Sequence, residues 1–186
     1  MFTTPNLERG SNLFSKNIIA LILVFTTLKI NADLIEDSGN LTLLAVVGGA
    51  YLHSYYKGDT DGQKQLAFSL IKTVATTYAL KFLTKEKRPN GKNNRSFPSA
   101  HTSIAFSSST YLLKRYSFVE SIPFYIGSLY VGYSRVESRN HYARDVLAGA
   151  VIGSLFSYFR VDKFKDFQVK PLITENNFGV GFSCKW

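Results

Sequence analysis

The apolar positions of the chain follow a helical repeat over most of its length. In residues 63–87 they recur every three or four positions, until Pro89 and the Asn90–Gly91 pair interrupt the pattern. Similar segments, bounded by turn-forming residues, cover 41–56, 98–116, 121–133 and 141–159. The pattern therefore predicts an all-α protein, a helical bundle of five or six helices.

Two stretches that flank the helical segments have different patterns. Residues 33–39 are polar and are interpreted as a linker. In residues 178–186 every second side chain is apolar, which is typical of a strand, and residues 167–173 can pair with it. We expect a short C-terminal strand-like tail over 166–186, either a small hairpin or an extended segment.

The N-terminus resembles a secretory signal. Arg9 and Lys16 precede an apolar run over 18–25, and the small residue Ala32 follows. This arrangement fits a cleaved leader or an uncleaved anchor better than a core helix. The expected organisation is a leader or anchor over 1–32, a helical domain over 33–165 and a tail over 166–186.

The composition narrows the classes of protein. With 186 residues, of which 45% are hydrophobic, the chain can build one folded domain, and this excludes a disordered protein. The formal net charge of +9 favours anionic partners: nucleic acid, phospholipid headgroups or phosphorylated substrates. Cys184 is the single cysteine, so an internal disulfide and a cysteine-based zinc site are excluded.

The hydropathy of the helical segments is a weak membrane signal. A spanning helix needs about 20 mainly apolar residues, whereas the mean hydropathy of this chain is only −0.02. Segment 63–87 is interrupted by Lys72, and the apolar run over 146–159 is short. A tight bundle can include marginal spans, but the pattern favours an exported or peripherally attached protein over a fully embedded one.

Three short groups of polar residues within 81–145 carry the candidate chemistry. The first contains Lys81 and Arg88, which are seven residues apart, or two helical turns, so both side chains project from one face. In the second, a helix that starts near Ser99 directs its free N–H groups, and the positive end of its dipole, towards an anion. Taken alone, the first group can also be a solvated basic face, and Ser99 an ordinary helix cap.

The third group is the sharpest signal. His141 and Asp145 lie four positions apart, so on a helix the carboxylate can accept a hydrogen bond from the imidazole. That bond fixes the tautomer and leaves the other ring nitrogen free as a nucleophile or base. Arg135 can reach the same place from the preceding loop as a bidentate clamp for a phosphate group. The alternative is an ordinary His–Asp pair on a helix surface.

Together, the three groups resemble the signature of the type 2 phosphatidic acid phosphatase superfamily, which includes lipid phosphatases, bacterial acid phosphatases and vanadium haloperoxidases. The matching residues are Lys81 with Arg88 and Pro89, then Pro98, Ser99, Ala100 and His101, then Ser134, Arg135, His141 and Asp145. The one departure is Ala100, where the family usually has glycine. The methyl group keeps the backbone N–H but narrows the pocket, so it bears on substrate range more than on activity.

The resemblance implies a role for each residue. His141 attacks phosphorus and forms a phosphohistidine, Asp145 orients it, and His101 protonates the leaving alkoxide. The phosphoryl oxygens are held by Lys81, Arg88, Arg135, the Ser99 hydroxyl and the Ala100 backbone N–H. The implied reaction needs no metal and no cofactor, and the sequence offers no carboxylate cluster for Mg²⁺. Flanking residues without an assigned role are Arg139, Tyr142 and Arg144.

We therefore expect a phosphatase of the cell envelope, with its active site facing the extracytoplasmic side. Its expected substrates are phosphate monoesters or diphosphates. A lipid-linked phosphate at a membrane surface is the preferred expectation, and soluble organic phosphates are the second. A nucleic-acid partner is not expected. The rivals are a vanadium haloperoxidase, a class whose members tend to be much longer, and a non-enzymatic basic module that binds nucleic acid or anionic lipid through residues 81–95.

Overall fold

The computed structural model describes residues 32–164 and the backbone of 166–174 and 177–185. In chain order its elements are α1 (Ala32–Tyr56), α2 (Thr60–Thr84), α3 (Ala100–Arg115), α4 (Phe118–Glu137), α5 (Ala143–Arg160), β1 (Asp166–Thr174) and β2 (Asn177–Lys185). The five helices in the described residues confirm the predicted all-α bundle. Residues 1–31 of the predicted leader lie outside the described residues.

Helix α1 includes residues 33–39, so the interpretation of that stretch as a linker is wrong. Asp33 lies in the first turn, where a carboxylate interacts favourably with the positive end of the helix dipole. Gly39 looks like turn punctuation in the sequence, but it is a contact point: a Cβ atom there would overlap the side chain of Ser134. The additional turns of α1 therefore pack directly against the end of α4.

The interior of the bundle is lined mainly by small hydroxyl residues. The buried face of α2 carries, from its start to its end, Gly62, Leu66, Ser69, Thr73, Thr77 and Lys81. Thr77 pairs with Ser103 of α3 at 3.0 Å, and Ser109 of α3 pairs with Ser128 of α4 at 2.7 Å. Many contacts between these helices are therefore hydrogen bonds between hydroxyl groups rather than apolar packing.

Large apolar side chains lie on the outside of the bundle. Phe68, Ile71 and Phe82, which help to define the helical repeat of α2, are 60%, 62% and 58% exposed. The repeat thus located the helix correctly, but these side chains face outward instead of forming a core. Extensive exposed apolar surface marks a protein or membrane interaction surface. Among the described helices, α2 is also long and apolar enough to cross a membrane.

Helices α3 and α5 approach each other closely through small residues. A Cβ atom at Gly149 of α5 would lie 2.5 Å from Ser99 O, and one at Gly153 would overlap Ser103 O. These glycines are among the small residues of α5 whose sequence pattern permits close helix contacts, and such contacts are common between helices in membranes. The packing holds the start of α3 beside the start of α5.

Replacing Gly153 by valine is expected to lower the free energy of unfolding by about 3 kcal/mol, because the new side chain overlaps the α3 backbone. Thermal unfolding in detergent measures the change. Gly48→Ala is the matched control, since among the described residues a Cβ atom at Gly48 would meet no heavy atom within 4 Å beyond its own stretch of helix. The control should be neutral or stabilise by about 0.5–1 kcal/mol. A Gly153→Val protein as stable as the wild type would contradict the close packing of α3 and α5.

A buried ion pair closes the end of the bundle where α2 begins, which we call the far end. Arg115, the last residue of α3, donates to both carboxylate oxygens of Asp59 at 2.7 and 2.6 Å, and the Tyr116 hydroxyl donates to the same carboxylate at 2.8 Å. Burial by itself would raise the pKa of Asp59, but these hydrogen bonds and one from Gly62 N–H outweigh it and hold the pKa below its ordinary value. Asp59 thus joins the start of α2 to the end of α3.

The C-terminal tail forms a two-stranded antiparallel sheet. Asp166 of β1 pairs with Lys185 of β2, and Thr174 pairs with Asn177 next to the turn. Of the two forms expected for this tail, the backbone adopts the hairpin.

Candidate active site

The three polar groups converge at one end of the bundle, which we call the site end. Lys81 lies in the last turn of α2, Ser99 immediately precedes α3, Arg135 lies in the last turn of α4 and Asp145 lies in the first turn of α5. His141 lies in the short connection between α4 and α5. The ends of two helices and the starts of two others therefore meet around one small volume.

The prediction that Lys81 and Arg88 share one helical face is wrong. Helix α2 ends at Thr84, and Lys85 follows in the left-handed conformation with φ of 47°. Arg88 therefore lies in the loop after α2, where its guanidinium donates to Asn140 Oδ1 at 3.1 Å. The cation reaches the site end from a loop, and an amide side chain fixes its position.

Lys81 is only 4% exposed, so it does not belong to a solvated basic face. Its ammonium group donates to the carbonyl oxygens of Arg95 at 2.8 Å and Ser96 at 3.1 Å. These bonds fix the loop between α2 and α3. An ammonium group has three N–H donors, so one remains for an anion.

The residues at the start of α3 offer several donors without intrahelical partners. Ser99 is fully buried in the N-cap position, but its side chain makes no capping bond. Its oxygen accepts a hydrogen bond from Thr102 Oγ1 at 3.0 Å, so its own hydroxyl hydrogen can point to a ligand. The first intrahelical bond runs from Ser103 N to Ser99 O. The N–H groups of Ala100 and His101 therefore lack a carbonyl one turn back.

The prediction that His141 and Asp145 lie on the same helix is wrong. Helix α5 begins at Ala143, and Tyr142 is its N-cap residue. Asp145 accepts a hydrogen bond from Tyr142 N at 3.0 Å and so caps the helix that carries it. The two side chains nevertheless face each other, with His141 Nδ1 at 3.5 Å from Asp145 Oδ2. Nε2 is the ring nitrogen that does not face this carboxylate.

The surroundings of His141 keep its ring neutral. The residue is 2% exposed. Burial, followed by the charges of Lys81, Arg88 and His101, lowers the pKa of His141 from 6.5 to about 3. An unprotonated imidazole at neutral pH can act as a nucleophile or base. The influence of Lys81, Arg88 and His101 on one ring also indicates that the three motif groups share one electrostatic environment.

Arg135 lies at the end of α4 rather than in a loop, and it is 2% exposed. Its guanidinium donates to Glu36 O at 2.7 Å, Asn40 Oδ1 at 3.1 Å and Ser134 Oγ at 3.2 Å. Its own carbonyl accepts the His141 N–H at 3.1 Å, which joins this cation to the histidine. Three of its five N–H donors are used in these bonds, so two remain for an anion.

Unpaired polar atoms concentrate at the site end. Among the described residues, the buried side-chain nitrogen and oxygen atoms without a hydrogen-bond partner are Ser69 Oγ, Arg88 Nε, His141 Nδ1 and Asp145 Oδ1. Three of these four atoms belong to the motif groups. Leaving such an atom unpaired costs about 1–3 kcal/mol, so each one calls for an explanation such as a ligand or a reaction. The surplus of cations around these atoms suits an anionic ligand.

Ser96 and Asn140 belong to the site although the three sequence motifs do not include them. The Ser96 hydroxyl donates to Asp145 Oδ2 at 2.5 Å, so it orients the carboxylate that faces His141. Asn140 is 1% exposed, and its Oδ1 accepts one hydrogen bond from Arg88 and one from Asn90. The sequence offered one hint: Ser96 lies two residues before Pro98, and Asn140 directly precedes His141. A serine in a basic loop and an asparagine in a turn are too common to be singled out from sequence.

Comparisons with known proteins agree with the motifs. Residues 63–167, more than half of the chain, match the family described as the PAP2 superfamily. The chain is 28% identical over 174 residues to the lipid A 4'-phosphatase of Helicobacter pylori, a match that covers 83% of this chain and 87% of that protein. Over 71 residues it is 37% identical to the lipid A 1-phosphatase of Porphyromonas gingivalis, covering 37% of this chain and 16% of that protein.

The fold is also similar to a solved structure. The crystal structure of Aquifex aeolicus LpxE superposes with a TM-score of 0.61, covering 76% of this chain and 93% of that one. The two sequences are 19% identical in this comparison. At that level the likeness concerns the fold alone.

Proposed function

Because this chain belongs to the PAP2 superfamily, we propose that it is a lipid phosphatase that works through a phosphohistidine intermediate. It hydrolyses phosphate monoesters or diphosphates in the cell envelope. The observation that carries the proposal is the convergence, at the site end, of buried cations around a neutral His141 whose Nδ1 lies 3.5 Å from Asp145. A phosphate dianion matches the charge and the free donors of this arrangement.

His141 supplies the nucleophile in the first step. Since Nδ1 faces Asp145, Nε2 attacks phosphorus, and the bond from phosphorus to the ester oxygen breaks as the new N–P bond forms. The ring becomes positively charged, and the carboxylate of Asp145 stabilises that charge through Nδ1–H. The 3.5 Å separation is expected to shorten when the substrate is bound, as catalytic hydrogen bonds commonly do.

His101 is the acid of the first step and the base of the second. It lies in the first turn of α3, where burial, followed by the charges of Arg135 and Arg88, lowers its pKa from 6.5 to about 4, so the ring is neutral before the substrate binds. A bound phosphate dianion favours the protonated ring, which gives its proton to the leaving alkoxide. The neutral ring then takes a proton from water as the water attacks the phosphohistidine. Phosphate leaves, and both histidines return to their starting states.

Fixed donors stabilise the charge that develops on the phosphoryl group. The transition state spreads negative charge over three equatorial oxygens, and preorganised donors bind that charge without reorganisation. The donors are Lys81, Arg88, Arg135, the Ser99 hydroxyl and the Ala100 N–H. Alanine can replace the usual glycine at position 100 because the required group is a backbone N–H.

A lipid-linked substrate is supported by the relatives and by the surface. The curated relatives are named as lipid A phosphatases, and large apolar side chains cover the outside of the helices. The outward-facing side chains favour helices embedded in the bilayer, whereas the sequence pattern favoured a peripheral or exported protein. We place the site end at the membrane surface, on the extracytoplasmic side, so that a headgroup phosphate reaches Arg88 and Ser99 while its acyl chains stay in lipid.

A substrate comparison tests this function. We expect kcat/KM for a phosphorylated glycolipid such as lipid A to exceed that for a soluble aryl phosphate by about 100-fold, because the lipid supplies additional binding energy. Phosphate release from the detergent-purified full chain measures both rates, and vanadate should inhibit them as a mimic of the transferred group. Equal rates would point to a non-specific acid phosphatase. Halide oxidation activated by vanadate would point to a haloperoxidase.

The Ser96→Ala variant is expected to lower kcat about 10-fold and to leave KM nearly unchanged, since Asp145 loses a donor that orients it. Steady-state kinetics with the preferred lipid measures the effect. Ser108→Ala is the matched control, because within the described part of the chain the buried Ser108 hydroxyl bonds only to Ile104 O of its own helix. A rise in KM at constant kcat would assign Ser96 to substrate binding instead.

A further inference from the structure

A groove on the outside of the bundle combines apolar walls with two cations. It lies between α2 and α5 and has a volume of about 490 Å³, within the usual range of small-molecule sites. Its apolar wall is formed by Ile152, Leu155, Phe156 and Phe159 of α5, and its charged residues are Lys72 and Arg160. We propose that this groove binds an anionic phospholipid, with the phosphate between the two cations and an acyl chain along α5.

The groove lies along the second half of α5 and the middle of α2, where Lys72 precedes Lys81 by nine residues, about 13 Å along the helix. Arg160 lies 15 residues after Asp145 on α5, which corresponds to about 22 Å along the helix. Asp162 N donates to Gln65 at 2.9 Å, so the start of α2 lies beside the end of α5. Lys72 follows Gln65 by about 10 Å along α2. A phosphate bound between Lys72 and Arg160 is therefore out of reach of His141, and the proposed lipid is not a substrate in transit.

The charge of Lys72 requires a partner. It lies on the exposed surface of α2 beside Ile71, which is 62% exposed. A cation on a lipid-facing surface is costly unless it meets an opposite charge or extends to the headgroup region. Within residues 32–164 neither Lys72 nor Arg160 forms an ion pair, whereas Lys64 on the same helix pairs with Asp61 at 3.2 Å.

The lining of the groove favours an anionic lipid over other occupants. None of its lining residues is acidic, so the two positive charges select an anion. The apolar wall gives an acyl chain a surface that a free phosphate ion cannot use. This proposal rests on the embedding of the helices in the bilayer, but not on the reaction proposed for the site end.

Thermal unfolding of the full chain in nanodiscs tests the proposal. One set of nanodiscs contains phosphatidylcholine alone, and in the other phosphatidylglycerol replaces a third of it. We expect Tm to be about 4 °C higher with the anionic lipid, by mass action on a saturated site. Lys72→Gln combined with Arg160→Gln should remove most of this shift. Lys64→Gln, an exposed lysine on the same helix outside the groove, should keep it.

Other outcomes would overturn the proposal. The same Tm in both lipids would indicate that a protein segment, such as residues 18–25, or a zwitterionic lipid covers the groove. Loss of the shift in Lys64→Gln would indicate a general charge effect, and an equal shift from inorganic phosphate would indicate a free-anion site. Phosphate-ester turnover is measured in parallel on the same nanodiscs. If the lipid shift persists without turnover, the proposed function fails and this inference stands.

Discussion

The His141→Ala variant is expected to lose phosphate-ester turnover by about 10⁴-fold or more while keeping its fold, because in the proposed mechanism His141 forms the covalent intermediate. Phosphate release and trapping of an acid-labile phosphoprotein measure the loss. His53→Ala is the matched control, since this histidine lies near the far end of α1 and bonds to Glu120 at 3.2 Å. A phosphoprotein trapped equally in wild type and His141→Ala would assign the nucleophile to another residue.

The same substitution should alter the pH dependence of stability. In the folded wild type the pKa of His141 is lowered to about 3 from 6.5. The unfolded chain therefore binds a proton at this ring as the pH falls below about 6.5, whereas the folded chain stays neutral there until about pH 3. The free energy of unfolding of the wild type thus decreases as the pH is lowered from 6.5 towards 3. The Tm of His141→Ala should fall less between pH 6.5 and 4, and an identical slope would contradict the buried neutral ring.

The Asp145→Asn variant is expected to lower kcat by about 10³–10⁴-fold with a small effect on stability. The amide cannot stabilise a positively charged ring, and it can hold His141 in the wrong tautomer. The amide oxygen that this substitution introduces would still accept the hydrogen bond from Tyr142 N, so the start of α5 should stay intact. Turnover of the preferred lipid and thermal unfolding measure the two effects separately.

A matched control and a double variant sharpen this test. Asp61→Asn makes the same change in the first turn of α2, where the carboxylate is exposed and pairs with Lys64, and its kcat should stay at the wild-type value. Adding Ser96→Ala to Asp145→Asn should cost much less than it does in the wild type, because both residues act through one carboxylate. If kcat of Asp145→Asn is lowered less than about 10-fold, the carboxylate acts as a helix cap and not in the reaction.

The helical repeat predicted which segments form helices but not which of their faces is buried. A period near 3.6 arises whenever apolar side chains share one face, whether that face meets a core or a lipid. Phe68, Ile71 and Phe82 face outward, while Thr73 and Thr77 face inward. Which face of each helix is buried is therefore decided only by the packing of the helices against one another.

Helix ends were the least predictable part of the site. Arg88 was expected on α2, but the helix stops at Thr84, and the loop that follows is held by Lys81. Likewise, His141 was expected on α5 and lies before it. The backbone at such positions responds to capping bonds from distant residues, and a local pattern does not contain them.

The sequence by itself determined the helices, the family and the chemical groups available, because helical period and side-chain chemistry are local properties that spacing preserves. Only the tertiary structure decided that the hydroxyl-rich faces point inward, that a loop carries Arg88, and that Ser96 supports Asp145. The physical reason is that burial, capping and convergence depend on contacts between segments far apart in the chain. His141 and Lys81, sixty positions apart, share one electrostatic environment only after the helices have packed.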